Sequence, residues 1–300
     1  PADDALLGRP RGAQPGGGFL GGRVAASGVS PVGAGGLAEV ARRHAEEFAP
    51  RQFETRCGLK LRGATAMGAL GARMGLDWEL GGEVLRAHPG DLTSDRVLLT
   101  LQDGSGVLVP LLPEFIGELS FGDDGRLVSL AYEASANSPL FDPDDTRRMA
   151  RRTGRELIVS ALARGVFRPA PAVLDALVAT AMAGPAPDPV LALLLAYALD
   201  DAGLSDRLAE LVARMRGAGV PPLYDVAVLA GLAGEASQGC PPGLPLMARG
   251  WVGLAARGVI LPAPLAALPP LLRPALWTHF SREACAVLAA WLSPPEVHHA

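Results

Sequence analysis

The chain has 300 residues, 27 basic and 31 acidic side chains for a formal net charge of −4, and a composition that is 49 % hydrophobic but only 5 % aromatic. That length suits a substantial core and about two domains, while the slightly acidic balance offers no footprint for nucleic acid or an anionic membrane surface. Cys57, Cys240 and Cys285 form no CxxC pair, so neither a zinc nor a redox motif is expected and the chain reads as cytoplasmic; its longest strongly apolar helical run, 190–199, is far below the ~20 residues of a membrane span.

Residues 1–36 are dominated by Gly, Ala and Pro, a composition with little to bury, and they read as a flexible linker. Arg9, Arg11 and Arg23 stand in it as accessible basic sites and are the candidate cleavage positions. A helix is predicted over 37–48, where Leu37, Val40, Ala41, His44 and Phe48 share a face, and Pro50 stops it. Residues 53–61 alternate apolar and polar side chains at the period of a half-buried strand. Residues 63–94 are glycine-rich and ambiguous between short helix and loop. Four further strands are predicted at 97–101, 107–111, 116–121 and 127–132, separated by Asp103-Gly104, Pro113 and Asp124-Gly125 as turn formers.

With the 53–61 strand these make a small antiparallel β-meander of about five strands, the sheet of an α+β domain over 37–140. From Asp142 onward the pattern is helical. Asp142-Pro143-Asp144-Asp145 opens a helix to about residue 164, and others follow at 171–183, 189–202, 205–217 and 223–233. Shorter helices are expected at 245–257, 263–272, 274–280 and 282–292. The spacing of their starts predicts antiparallel helix pairs, so 141–300 reads as an all-α helical-hairpin domain and the fold class as α+β.

Catalytic signatures are scarce. No phosphate-cradling Gly-Lys-Ser/Thr tract and no GxSxG elbow occurs; Gly104-Ser105-Gly106 follows Asp103 in a hairpin turn and reads as a turn former. Two cysteine–histidine dyads can be written, Cys285 with His279 and Cys57 with His44, so a cysteine hydrolase is the alternative class. The arginines at 147, 148, 151, 152 and 155 read as a solvated helix face. No cofactor and no metal are expected. At the turn tip Pro113-Glu114-Phe115-Ile116, a large aromatic is either a core cap or an exposed anchor, and these four are the candidate protein-binding residues.

Several segments carry a family pattern. Phe53-Glu54-Thr55-Arg56-Cys57-Gly58 with Leu61-Arg62-Gly63-Ala64, Leu101-Gln102-Asp103-Gly104-Ser105-Gly106, Leu112-Pro113-Glu114-Phe115-Ile116-Gly117 and the run from Gly125 to Tyr132 resemble the region C-terminal to the protease domain of bacterial caspase-like proteases. There the corresponding strings read FETxxGFxxRGA, LPDGSG, LPGFIG and GRVVNVxY. The segments around Asp188, Leu223-Tyr224-Asp225, Gly250-Trp251 and Leu276-Trp277-Thr278 look like the helical remainder of that region. The His-Gly segment and the DxCxS or QACxG cysteine of the protease itself do not occur in this sequence. The resemblance therefore implies a non-catalytic accessory module, cut from or working beside a caspase-like protease in bacterial conflict or antiviral signalling, as regulator, recognition part or substrate. A protease of that kind, cutting after basic residues, is the implied partner; no nucleic acid and no membrane is expected.

Overall fold

The structure is a computed structural model of the chain and describes residues 55–71, 73–78, 82–92, 94–164, 167–232 and 243–293. The linker over 1–36, the helix over 37–48, His44, Cys240 and the candidate cleavage sites Arg9, Arg11 and Arg23 lie outside them. Eight strands are followed by helices, so the class is α+β.

The strands are β1 (Gly58–Arg62), β2 (Ala66–Leu70), β3 (Gly75–Trp78), β4 (Val84–His88), β5 (Asp95–Leu101), β6 (Gly106–Leu111), β7 (Phe115–Phe121) and β8 (Leu127–Ala134). They form a five-stranded sheet in the order β3-β4-β1-β7-β8 and a three-stranded sheet in the order β2-β5-β6. The expected meander is thus corrected in two respects. The ambiguous stretch 63–94 supplies β2, β3 and β4, and β1 pairs with β7 in parallel, with the whole three-stranded sheet inserted between them in the chain.

The physical reason is burial on both faces. Residues Val97, Leu99, Val107 and Val109 enter the main core, whereas Leu98 and Leu108 enter a second core beneath the C-terminal helices. Strands read as near-continuous apolar runs when both faces are covered, so β5 and β6 could not belong to a sheet with one wet face. Tyr132 on β8 donates its hydroxyl hydrogen to the Pro110 carbonyl on β6 at 2.5 Å and links the two sheets. Pro110 is tolerated because β6 is an edge strand.

The helices are α1 (Asp145–Ala163), α2 (Pro171–Ala181), α3 (Pro189–Asp201), α4 (Ser205–Gly217), α5 (Tyr224–Leu229), α6 (Gly250–Ala256), α7 (Ala263–Ala266) and α8 (Arg282–Leu292), with a 3₁₀ turn at Pro269–Leu271. Asp144 caps α1 by accepting from the Thr146 and Arg147 N–H groups, and Asp188 caps α3 by accepting from those of Val190 and Leu191. Pro189 occupies the first position of α3, where its missing N–H costs nothing.

Every residue of α3 from Pro189 to Leu199 is buried. A helix apolar all round must be enclosed, and α3 packs against α1, α2, α4, α5 and β8. Successive helices pack on one another from α1 to α5, and α3 stands at the centre of the array because it also meets α1 and α5. Residues 274–280, expected as helix, are bends and isolated bridges instead: Phe280 exchanges backbone hydrogen bonds with Gly106 at 2.8 and 3.1 Å, and Met247 bridges to Trp277.

The main core runs from Cys57, just before β1, to Trp277, between α7 and α8. The described residues belong to one compact unit, and the change from strand to helix near residue 140 is a change of secondary structure inside it. Among the described residues no helix is long and apolar enough to cross a membrane.

The arginine face of α1 is solvated only in part: Arg147, Arg148 and Arg152 stay partly exposed, and Arg151 and Arg155 do not. Arg151 is buried and donates to the Ala183 and Ala186 carbonyls; Arg155 is buried between Asp188 and Glu133; Arg147 pairs with Asp142 and Asp144, Arg148 with Asp145 and Arg152 with Glu156. These acids come from within the chain, so the cluster is an internal clamp. The Arg147 hydrogen bond holds the Asp142 carboxyl down, to about 2.

Candidate functional site

The turn tip caps the core. Phe115 and Ile116 are 3 % and 1 % exposed, which removes them as exposed binding anchors; Pro113 and Glu114 are half-buried. Glu114 turns the chain with φ = 72°, the one positive φ at a non-glycine among the described residues. Its carboxylate meets Arg56 at 3.2 Å, and its carbonyl accepts from the Ser135 N–H at 2.9 Å.

Cys285 and His279 do not form a dyad. The Cys285 thiol lies 4.0 Å from the Phe280 carbonyl, and burial pushes it up to about 12. Burial likewise pushes Cys57 up to about 12. A nucleophilic thiol needs the opposite shift. Iodoacetamide at pH 8 is therefore expected to alkylate Cys57 and Cys285 in the native chain at least ~100-fold more slowly than free cysteine. Mass spectrometry of the labelled peptides reads this, and fast alkylation of Cys285 would restore the hydrolase alternative.

His279 instead lies 2.9 Å from Ser105 Oγ, which lies 2.5 Å from Asp103 Oδ1. Three such residues look like a hydrolytic triad, but their protons are inverted. The short Ser105–Asp103 contact joins two oxygens, and the Ser105 hydrogen bond holds the Asp103 carboxyl below its usual range. The serine hydrogen therefore points at Asp103. Ser105 Oγ then accepts from His279 Nε2 and from Arg273 Nη1 at 3.1 Å, so His279 cannot act as its base. Burial, and then the Arg273 charge, hold the neutral imidazole down to about 4. Arg282 adds two hydrogen bonds to the Asp103 carbonyl. The group is a knot tying the β5–β6 turn to the segment before α8.

A cavity of about 160 Å³ opens between α3, α5 and α6 and has a different character. Its floor is the buried pair Tyr197 and Asp225: the phenol donates to Asp225 Oδ1 at 2.7 Å, and the carboxylate also accepts from the Leu246 and Met247 N–H groups at 2.7 and 3.1 Å. Burial raises both groups above their ordinary pKa values. Two guanidiniums line the cavity. Arg249 stacks 4.6 Å over the Tyr197 ring and bonds Asp201 at 2.5 Å, and Arg257 bonds both oxygens of Asp200 at 2.6 Å.

Val228, Pro245 and Leu254 supply apolar wall, and Val252 stands at the mouth with 85 % of its surface exposed. Gly250 is required by close approach, whereas at Gly253 a side chain would crowd only the movable end of Arg257. A Cβ at Gly250 would fall 2.4 Å from the Tyr197 hydroxyl oxygen, and one at Gly253 would fall 2.9 Å from Arg257 Nη1.

The cavity residues were not nominated by sequence patterns, because they come from three helices distant in the chain. The one available signal was Asp225 and Asp200 interrupting apolar helical runs, where a charge needs an internal partner. Among the described residues no cluster of three or more His, Cys, Asp or Glu side chains could hold a metal ion. No family model, curated protein or solved structure matches the chain.

Proposed function

We propose that the chain is a non-catalytic protein-interaction module that works with a bacterial caspase-like protease, as its regulator, its recognition part or its substrate. The observation that carries the binding role is the apolar segment that follows α6 in the chain. Residues 258–272 contain no charged or polar side chain, and Ile260 is 92 % exposed, as is most of the surface of Val252 before it. Pro262, Ala263, Pro264, Ala266 and Ala267 are exposed as well. Apolar side chains exposed together in one segment, rather than singly, mark a surface that meets another molecule.

Support for the family side of the reading comes from Glu114. The pattern LPGFIG places a glycine where this chain has Glu114, and that is the position whose backbone is left-handed. The raised thiols favour a binding role over cysteine hydrolysis.

The full chain mixed with a caspase-like protease of the resembling type is expected to co-elute with it in size-exclusion chromatography. Val252→Glu with Ile260→Glu is expected to weaken that association by about ten-fold or more, since both side chains lie on the surface and the fold does not depend on them. Should wild type and protease elute separately at concentrations of about 50 µM, the partnership is wrong. New N-termini after Arg9, Arg11 or Arg23 in the same mixture, read by mass spectrometry, would identify the substrate role.

A further inference from the structure

We infer that the cavity beside Tyr197 is a binding site for a carboxylate carried on an aliphatic body. The hydrogen-bond inventory of its side chains decides the sign of the ligand. Each carboxylate oxygen in the lining already accepts a bond: those of Asp225 from Tyr197 and two backbone N–H groups, those of Asp200 from Arg257 Nη2. Asp201, which takes Arg249 Nη2, does not line the cavity. Among the described residues, Nε and Nη1 of both arginines have no hydrogen-bond partner. These are donors on permanent cations; within each guanidinium Nε–H and Nη1 diverge, so each can give a carboxylate oxygen a single charge-assisted hydrogen bond.

Size and wall chemistry supply the rest of the ligand. A closed apolar cavity of about 150 Å³ is enough for benzene, so about 160 Å³ between Val228, Pro245 and Leu254 takes a branched body of four or five carbons. The absent Cβ atoms at Gly250 and Gly253 keep that space and the Arg257 Nη1 position open. The shared chemistry has two sources, a free short-chain acid or the C-terminal carboxylate of a peptide ending in Leu or Val. The inference rests on the chain alone and stands or falls independently of the protease.

Isovalerate titrated into the full chain and followed by NMR or calorimetry is expected to saturate in the millimolar range. Isoamylamine and isoamyl alcohol, which keep the body and change the head, are expected to bind at least about ten-fold more weakly. Arg257→Met keeps the stem and removes the donors, and it is expected to weaken isovalerate by about ten-fold or more with the melting transition retained. Gly253→Ala, which crowds Nη1, is expected to act in the same direction. A peptide acid ending in Leu that binds more tightly than isovalerate, with its C-terminal amide inert, assigns the site to chain termini; a peptide no tighter than isovalerate assigns it to free acids. Absence of saturable binding of both isovalerate and the peptide acid up to about 50 mM, or an amine that binds as well as the acid, overturns the inference.

Discussion

Arg155→Ala is expected to lower the unfolding free energy by about 3–5 kcal/mol, the cost of breaking a buried ion pair from one side. Arg155 on α1 sends Nη1 to Asp188 and Nη2 to Glu133 on β8 at 2.6 Å, and its side chain and that of Asp188 are both buried. Alanine would leave the Asp188 carboxylate enclosed without its cation while it still caps α3. The same residue joins sheet, first helix and central helix, so little can relax independently.

Urea unfolding at pH 7 measures the loss. Asp188→Asn placed on Arg155→Ala is expected to add much less than it costs alone, because the uncompensated charge is then gone. A loss under about 1 kcal/mol for Arg155→Ala would mean that water reaches the pair.

The second large effect is on acid stability and runs through His279. Its folded pKa, held down to about 4 by burial and then by Arg273, lies below the ordinary value of 6.5. The unfolded chain therefore binds the proton more readily, and stability is complete above about pH 6.5 and falls as the pH drops toward 4. The gap corresponds to at most about 3 kcal/mol. The charges facing the ring include Arg273 and Arg126 on one side of the balance and Asp103 and Asp124 on the other, and burial outweighs them all.

His279→Gln keeps a donor for Ser105 without the titration. Denaturant midpoints at pH 7.0, 5.5 and 4.5 are expected to fall steeply in the wild type and less in this variant. Parallel losses in both chains would place the acid sensitivity elsewhere. Asp142, held down to about 2, stabilises the fold fully above its ordinary value of 3.8 and loses that contribution only as the pH falls from there toward 2, outside this range.

The elements that were legible in the sequence are those whose stabilisation is local. Asp188-Pro189 announces α3 because a cap and an N1 proline act within one turn, and Asp103-Gly104 announces the β5–β6 hairpin for the same reason. What stayed hidden depends on neighbours distant in the chain. The strands at 66–70, 75–78 and 84–88 are only four or five residues long, and they exist through pairing: β2 with β5, β4 with β1, and β3 with β4. The parallel β1–β7 ladder breaks the expectation that successive strands pair. The cavity was hidden in the same way: Tyr197, Asp225 and Arg257 belong to three helices, and an apolar run with one tyrosine does not say which side chain its hydroxyl meets. The Asp103, Ser105 and His279 knot was half visible, since the turn was recognised but its histidine was matched to Cys285.

The parallel ladder also imposes an order in time. Strand β1 is held on one side by β4 and on the other by β7, which begins roughly fifty residues after Arg62. At about 5–20 residues per second on the ribosome, β1 waits some 3–10 s for its second partner to be synthesised. Through that interval the edge meant for β7 is an open template for any passing strand. A neighbouring nascent chain is the competitor that a newly made molecule must outlast, and translation speed across 63–114 becomes a determinant of yield.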